Sequence, residues 1–233
     1  MQRDRLTRPT AVVCDVGDTL LREVRFDLEA GIRAALPSRT RDAAASLAHA
    51  FRDETREAHA SHRELMLASW LRRRVSQLRD VEEEQVEDAI WREVVTLVPT
   101  EGAAVLLRRL RGDGVRIGAL SNAYFSTRVL HRELERHGLT DSIEIVLSSG
   151  DLGIRKPDAR IYFEMLARLG VTAGSTWYVG DTFEEDIVGA SNAGLVPIWL
   201  HRGPASRDVV LPIRQVEDWT DFASLYGSSS LDA

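Results

Sequence analysis

Ala11-Val12-Val13-Cys14-Asp15-Val16-Gly17-Asp18-Thr19-Leu20 is the stretch on which the reading of this chain turns. Its apolar, β-branched start is too short for a helix and suits a strand buried on both faces. The run ends in a carboxylate on a glycine-containing turn. An aspartate leaving a buried strand is unfavourable in a plain core position, so it marks either a helix cap or a site.

Downstream the same signature recurs. Short runs bounded by Gly, Ser, Asn or Asp predict strands near Ala11–Asp15, Val115–Leu120, Ile143–Leu147, Thr176–Val179 and Val196–Leu200. Amphipathic spacing predicts helices over Glu101–Arg111, Ser126–Arg136, Asp158–Leu169 and Glu184–Ala193. Alternation of this kind calls for parallel strands with right-handed crossovers, hence an α/β fold with a doubly wound parallel sheet. Between the first two strands the chain is far longer than one crossover. Apolar residues at helical spacing over Asp27–Leu36, Arg39–Ala60, His62–Arg79 and Val81–Val95, with breaks at Pro37 and Asp80, predict an all-helical insertion. The expected organisation is a core of residues 1–21 and 98–233 and a cap of residues 22–97 above the carboxyl ends of the strands.

Composition narrows the function classes. The 233 residues are 44% hydrophobic and 28% charged, with no apolar run long enough to span a bilayer. A net charge of −6 argues against binding to nucleic acid, which needs surplus positive charge. The charged start MQRDRLTRPT lacks the features of a secretory signal, so the cytoplasm is the expected compartment. Cys14 is the only cysteine, which excludes an internal disulfide or a multi-cysteine zinc site, and its apolar setting predicts a buried structural thiol. Basic residues are almost all arginine, and Lys156 is the single lysine. A lone lysine in such a chain suggests a place that needs a compact ammonium.

Three further strand ends carry polar chemistry: Ser121-Asn122, then Arg155-Lys156-Pro157-Asp158 after the third strand, then Gly180-Asp181-Thr182-Phe183-Glu184-Glu185-Asp186. Taken singly, Ser121 and Asp158 could be helix caps and the acidic run could favour a helix N-terminus. In one parallel sheet, however, all four meet at the same edge. With these motifs in this order, the chain resembles the haloacid dehalogenase-like hydrolases, in the subfamily with a helical cap between its first two motifs. The resemblance implies a Rossmann-like core and Asp15 as the nucleophile that forms an aspartyl-phosphate. It assigns the phosphoryl oxygens to Ser121, Thr19 and the backbone around Asn122, and a bridging role to Lys156. Asp15, the Gly17 carbonyl and Asp181 would hold Mg²⁺, with Asp186 acting behind them or through water. Oxygen ligands suit Mg²⁺, and a cation offsets the repulsion between carboxylate and phosphate. The six histidines show no metal-ligand pattern, and His59 and His62 are expected to be solvated.

One departure matters. Phosphatases of the family usually carry a second aspartate two positions after the nucleophile, which protonates the leaving alcohol; this chain has Gly17 there. Asp18 is displaced by one residue and is expected to point elsewhere. The most favoured function is a Mg²⁺-dependent phosphatase acting on a small phosphorylated metabolite. A 2-haloacid dehalogenase, whose halide needs no proton, and a fold retained for binding or regulation are the alternatives. A phosphonatase is disfavoured because the cap has no lysine. Arg22, Arg25 and Trp70 are candidate pocket residues, while Trp91, Trp177 and Trp199 are expected in the core. A monomer or a homodimer would both fit.

Overall fold

A computed structural model describes residues 6–203 and 213–229. Among these, eight strands and ten α-helices follow in the order β1 (Ala11–Cys14), β2 (Leu21–Phe26), α1 (Leu28–Ala35), α2 (Ala44–His59), α3 (Leu67–Arg74), α4 (Glu83–Val94), β3 (Val95–Pro99), α5 (Ala103–Gly112) and β4 (Arg116–Ser121). They continue with α6 (Thr127–Arg136), β5 (Ile145–Ser148), α7 (Ser149–Leu152), α8 (Ala159–Leu169), β6 (Thr176–Gly180), α9 (Gly189–Asn192), β7 (Val196–Leu200), β8 (Arg214–Val216) and α10 (Trp219–Ser228).

Six strands form a parallel sheet in the order β5-β4-β1-β6-β7-β8. β1 lies between β4 and β6, so the chain winds outward to both sides from it and leaves a crevice at its carboxyl end. Both sheet faces are covered, which is why β1 reads as a continuous apolar run. Val12 and Cys14 pack with Leu107, Leu134 and Phe222 on one face, and Val13 packs with Ile161, Tyr162 and Met165 on the other. This is the period-two alternation of a strand between two helical layers. Burial pushes the Cys14 thiol up, in keeping with an inert structural residue.

Helices α1 to α4 form a block with a core of its own, including Leu28, Ile32, Phe51, Trp70, Ile90 and Val94. Phe125 and Val129 from the α/β layer join that cluster, so the block is packed onto the sheet side. α1 and α4 approach so closely that a Cβ on Gly31 would lie 2.7 Å from Val94 Cβ.

The insertion departs from the all-helical expectation at its ends. β2 and β3 pair antiparallel, from Leu21 opposite Pro99 to Phe26 opposite Val95, and form a two-stranded stalk. Val95-Thr96-Leu97-Val98 is β-branched and apolar, and such a run fits either period until its partner is known. Within the block, the expected helix over 39–60 begins with a 3₁₀ segment at Ser38–Ala43. The one expected over 62–79 is α-helical only at Leu67–Arg74, because His62 takes a left-handed φ of 54° and Arg63 bridges antiparallel to Ile154. At the other end β8 was not expected, and α10 runs through Gly227 and Ser228. Residues 1–5, on which part of the N-terminal reading falls, and Ser230 lie outside the described residues. Among the described residues no helix is long and apolar enough to cross a membrane.

Candidate active site

The four motif segments converge at the carboxyl ends of β1, β4 and β6. Asp15 is the first residue beyond β1, and its backbone N–H donates to the Val179 carbonyl at 2.9 Å, which continues the β1–β6 ladder into the loop. Lys156 is 1% exposed, and its ammonium donates to Asp15 Oδ1 at 2.6 Å, Asp186 Oδ1 at 2.5 Å and Tyr178 Oη at 3.0 Å. Three acceptors satisfy the three hydrogens of a buried ammonium. Tyr178 Oη in turn donates to Asp186 Oδ1 at 3.2 Å. The Asn122 side chain clamps the Lys156 backbone, donating through Nδ2 to the Lys156 carbonyl at 3.1 Å and accepting from its N–H at 2.9 Å. That side chain is therefore committed to the protein, and the part of Asn122 open to a ligand is its backbone.

Asp186 sits in a wide π-type turn over Phe183–Val188, and its Oδ2 accepts from Thr182 N at 3.0 Å. The turn folds the carboxylate back under Gly180 and against Lys156. Such widened turns recur at functional sites because they re-aim a side chain that a regular helix would direct outward.

Carboxylate oxygens of Asp15, Asp181 and Asp186 lie within 4.8 Å of one another. Burial, reinforced by Asp186 and Asp181 and opposed by Lys156, pushes Asp15 up to about 8. Burial and the nearby Asp186 and Asp18 carboxylates push Asp181 up to about 6. Lys156 shows the reverse balance: burial disfavours its charge, but Asp15 and Asp186 outweigh that and hold it well above the ordinary lysine value. Three carboxylates against one ammonium leave two negative charges in excess when all are ionised. An all-oxygen donor set with that excess fits a hard divalent cation such as Mg²⁺, which Asp15, Asp181 and Asp186 would hold.

Beside this cluster lies a cavity of about 330 Å³. The sheet side contributes Val16, Gly17, Ser121 and Asn122, and the stalk contributes Glu23, Phe26, Val95 and Leu97. Trp91, Tyr124 and Phe125 complete its apolar wall. Ser121 is 7% exposed and its hydroxyl bonds to nothing among the described residues, so it is free for a ligand. Thr19 differs from the expectation: it is fully buried, its hydroxyl lacks a hydrogen-bond partner, and no part of it lines the cavity. Its carbonyl accepts from Trp219 Nε1 at 3.1 Å, so the residue packs the turn against α10. Asp18, at a left-handed φ of 51°, turns away as expected, and its Oδ1 accepts from Glu23 N at 3.0 Å. It lines a second cavity with Asp181 and Arg22.

Several residues near the site had no sequence signal. Glu64 is almost fully buried and accepts from His59 Nε2 at 3.0 Å, Leu65 N at 3.1 Å and Ser149 Oγ at 2.9 Å. Arg155, next to Lys156, donates to His59 Nδ1 and, at 2.8 Å, to Glu185 Oε1. Since a guanidinium only donates, Nδ1 accepts and the His59 hydrogen sits on Nε2, facing Glu64. His59 is thus a partly buried link between the helical block and the core, not the solvated residue expected, whereas His62 is exposed. Trp177 and Trp199 are core residues as expected, but Trp91 also lines the cavity. Trp70 lies in the core of the helical block and Arg25 pairs with Asp27 at the surface, so neither reaches the cavity. A tyrosine inside an apolar strand is read as packing, which hid the Tyr178 hydroxyl.

The chain is similar to the pyrimidine 5'-nucleotidase YjjG of Escherichia coli, at 36% identity over 104 residues, 44% of this chain and 45% of that protein. It is similar to the ribulose-1,5-bisphosphate 5-phosphatase of Halopiger xanaduensis, at 39% identity over 111 residues, 46% of this chain and 45% of that protein. These matches span under half the length of each curated relative. The crystal structure of a 2-haloacid dehalogenase from Pseudomonas syringae shares the fold, with a TM-score of 0.63 at 24% identity over 95% of this chain and 98% of that one. The profile described as haloacid dehalogenase-like hydrolase matches residues 9–194. With four motifs gathered at one sheet edge and most of its length matched by that profile, the chain belongs to the haloacid dehalogenase-like hydrolases.

Proposed function

We propose that the protein is a Mg²⁺-dependent phosphatase that hydrolyses a small phosphorylated metabolite in the cytoplasm through an aspartyl-phosphate on Asp15. The observation that carries this reading is the buried Lys156 ammonium held between Asp15 and Asp186, while their chain neighbours Val16, Gly17 and Arg155 line a cavity together with Ser121. Lys156 orients Asp15 through Oδ1 and leaves the second carboxylate oxygen to attack phosphorus. Ser121 Oγ and the backbone around Asn122 hold the phosphoryl oxygens, and Lys156 stabilises the charge that develops on them. When bound, Mg²⁺ offsets the repulsion between the attacking carboxylate and the phosphate. Residues 22–97 act as the cap: they exclude bulk water and contribute the wall against which the leaving group packs.

A dehalogenase would have no use for a cluster with two surplus negative charges, so the acidic triad favours the phosphatase. The test is phosphate release from a panel of phosphomonoesters and acyl phosphates with Mg²⁺ and with chelator. It is paired with detection of phosphate bound to Asp15 and with the Asp15→Asn variant. Release that needs Mg²⁺ and disappears in a folded Asp15→Asn protein is the expected result. Mg²⁺-dependent turnover that survives the substitution overturns the nucleophile.

A further inference from the structure

We propose that Glu23 protonates the leaving alcohol and then deprotonates the attacking water, in place of the acid that Gly17 lacks. The proposal rests on the phosphatase reading of the same site. It begins from strand register. Glu23 pairs with Leu97 and Phe26 pairs with Val95, yet Arg25 pairs with Thr96, so Val24 is an extra residue in β2. In a regular strand Glu23 and Phe26, three apart, would face opposite sides of the stalk. The bulge at Val24 puts them on one side, together with Leu97 and Val95, and all four line the cavity. Bulges beside active sites serve to re-aim a side chain in this way.

Glu23 therefore shares a cavity with Gly17, Ser121 and Asn122. On the Gly17 side there is room: a Cβ built there meets nothing within 4 Å, so a leaving group can stand between Gly17 and the stalk. The other nearby carboxylates are committed elsewhere. Glu64 accepts hydrogen bonds on both oxygens, and Asp18 caps the Glu23 backbone and faces the second cavity. Among the described residues the Glu23 carboxylate has no hydrogen bond and no ion pair, so it is not committed to another protein group. Partial burial and the Asp18 charge also push its pKa above the ordinary glutamate value.

Atoms balance across the two steps. An Asp15 oxygen bonds to phosphorus, the phosphorus–oxygen bond to the leaving group breaks, and the Glu23 proton passes to that oxygen to release a neutral alcohol. Water oxygen then bonds to phosphorus, a water proton returns to Glu23, and the bond between Asp15 and phosphorus breaks to free inorganic phosphate.

The experiment compares single-turnover phosphorylation of the unaltered protein and of Glu23→Gln with two probes, glycerol phosphate and acetyl phosphate. Acetate leaves without a proton, so it bypasses the acid. For Glu23→Gln we expect a loss on the order of 10²–10⁴-fold in the phosphorylation step with glycerol phosphate and less than tenfold with acetyl phosphate. Acetyl phosphate should then give one equivalent of acetate in a burst, followed by slow turnover, because the water step also lacks its base. The rise and fall of the glycerol phosphate rate with pH should lose the limb that tracks the Glu23 carboxyl. Equal losses with both probes, or no loss with glycerol phosphate, overturn the assignment to Glu23. If the unaltered protein fails to phosphorylate Asp15 with acetyl phosphate, the phosphatase reading itself has failed, an outcome separate from the first two.

Discussion

Gly180 stands directly against Asp186: a Cβ at position 180 would overlap the Asp186 carboxyl group. The glycine is required by this approach alone, since the carboxylate that steadies Lys156 folds back under the end of β6. Asp186 accepts from Lys156, Tyr178 and Thr182, so pushing it aside disturbs three hydrogen bonds at once.

Gly180→Ala is accordingly expected to lower stability by about 1–3 kcal/mol, the range for overpacking a close contact. Turnover should fall more than stability does, on the order of 10²-fold, because Lys156 and Asp15 lose their alignment. Urea unfolding and initial rates of the same preparation check both. An unchanged midpoint together with an unchanged rate would mean that the carboxylate has slack the structure does not suggest.

The parts of the site that were legible in the sequence are those written in contiguous residues. An apolar run stopping at Asp15, a single lysine at Lys156 and an acidic run after Gly180 each announce themselves locally, and strand alternation brings them to one edge. What stayed hidden depends on partners distant in the chain. The Val24 bulge exists only relative to β3, at the other end of the insertion, and the Thr19 carbonyl is held by Trp219 of α10. The link from His59 and Glu64 to Arg155 and Ser149 likewise joins segments whose spacing carries no pattern. The β3 strand of the stalk is not legible in the sequence, because Val95–Val98 satisfies a helical and a strand pattern equally well.

Burial and carboxylate repulsion make metal-free stability depend on pH. Asp15 moves from an ordinary 3.8 up to about 8 and Asp181 up to about 6. Between the ordinary and the raised values the folded state binds more protons than the unfolded state, so unfolding free energy falls as pH rises. In chelator the melting temperature should therefore decline from about pH 4 toward about pH 8 through these two groups. Mg²⁺ competes with the same protons. Its apparent affinity should tighten by up to about tenfold per pH unit for each proton displaced. Thermal shifts with and without excess Mg²⁺ across this range check it; a Mg²⁺ effect as large at the acid end as at pH 8 would mean that these carboxylates do not take up the ion.

Gly17 offers the most direct gain-of-function test. The cavity beside it accepts a side chain without a clash, and its φ lies outside the left-handed region, so Gly17→Asp should fold normally. If the alcohol must be protonated and no group does so, the new carboxyl should raise turnover of glycerol phosphate by on the order of 10²-fold or more. With Glu23 already supplying the proton, the gain should shrink to a few-fold in the otherwise unaltered protein and reappear in the Glu23→Gln background. Measuring both backgrounds with glycerol phosphate separates these cases. A large gain that is the same in both would show that Glu23 and the new aspartate do not share a task, whereas a gain confined to Glu23→Gln identifies one proton donor exchanged for another across the same cavity.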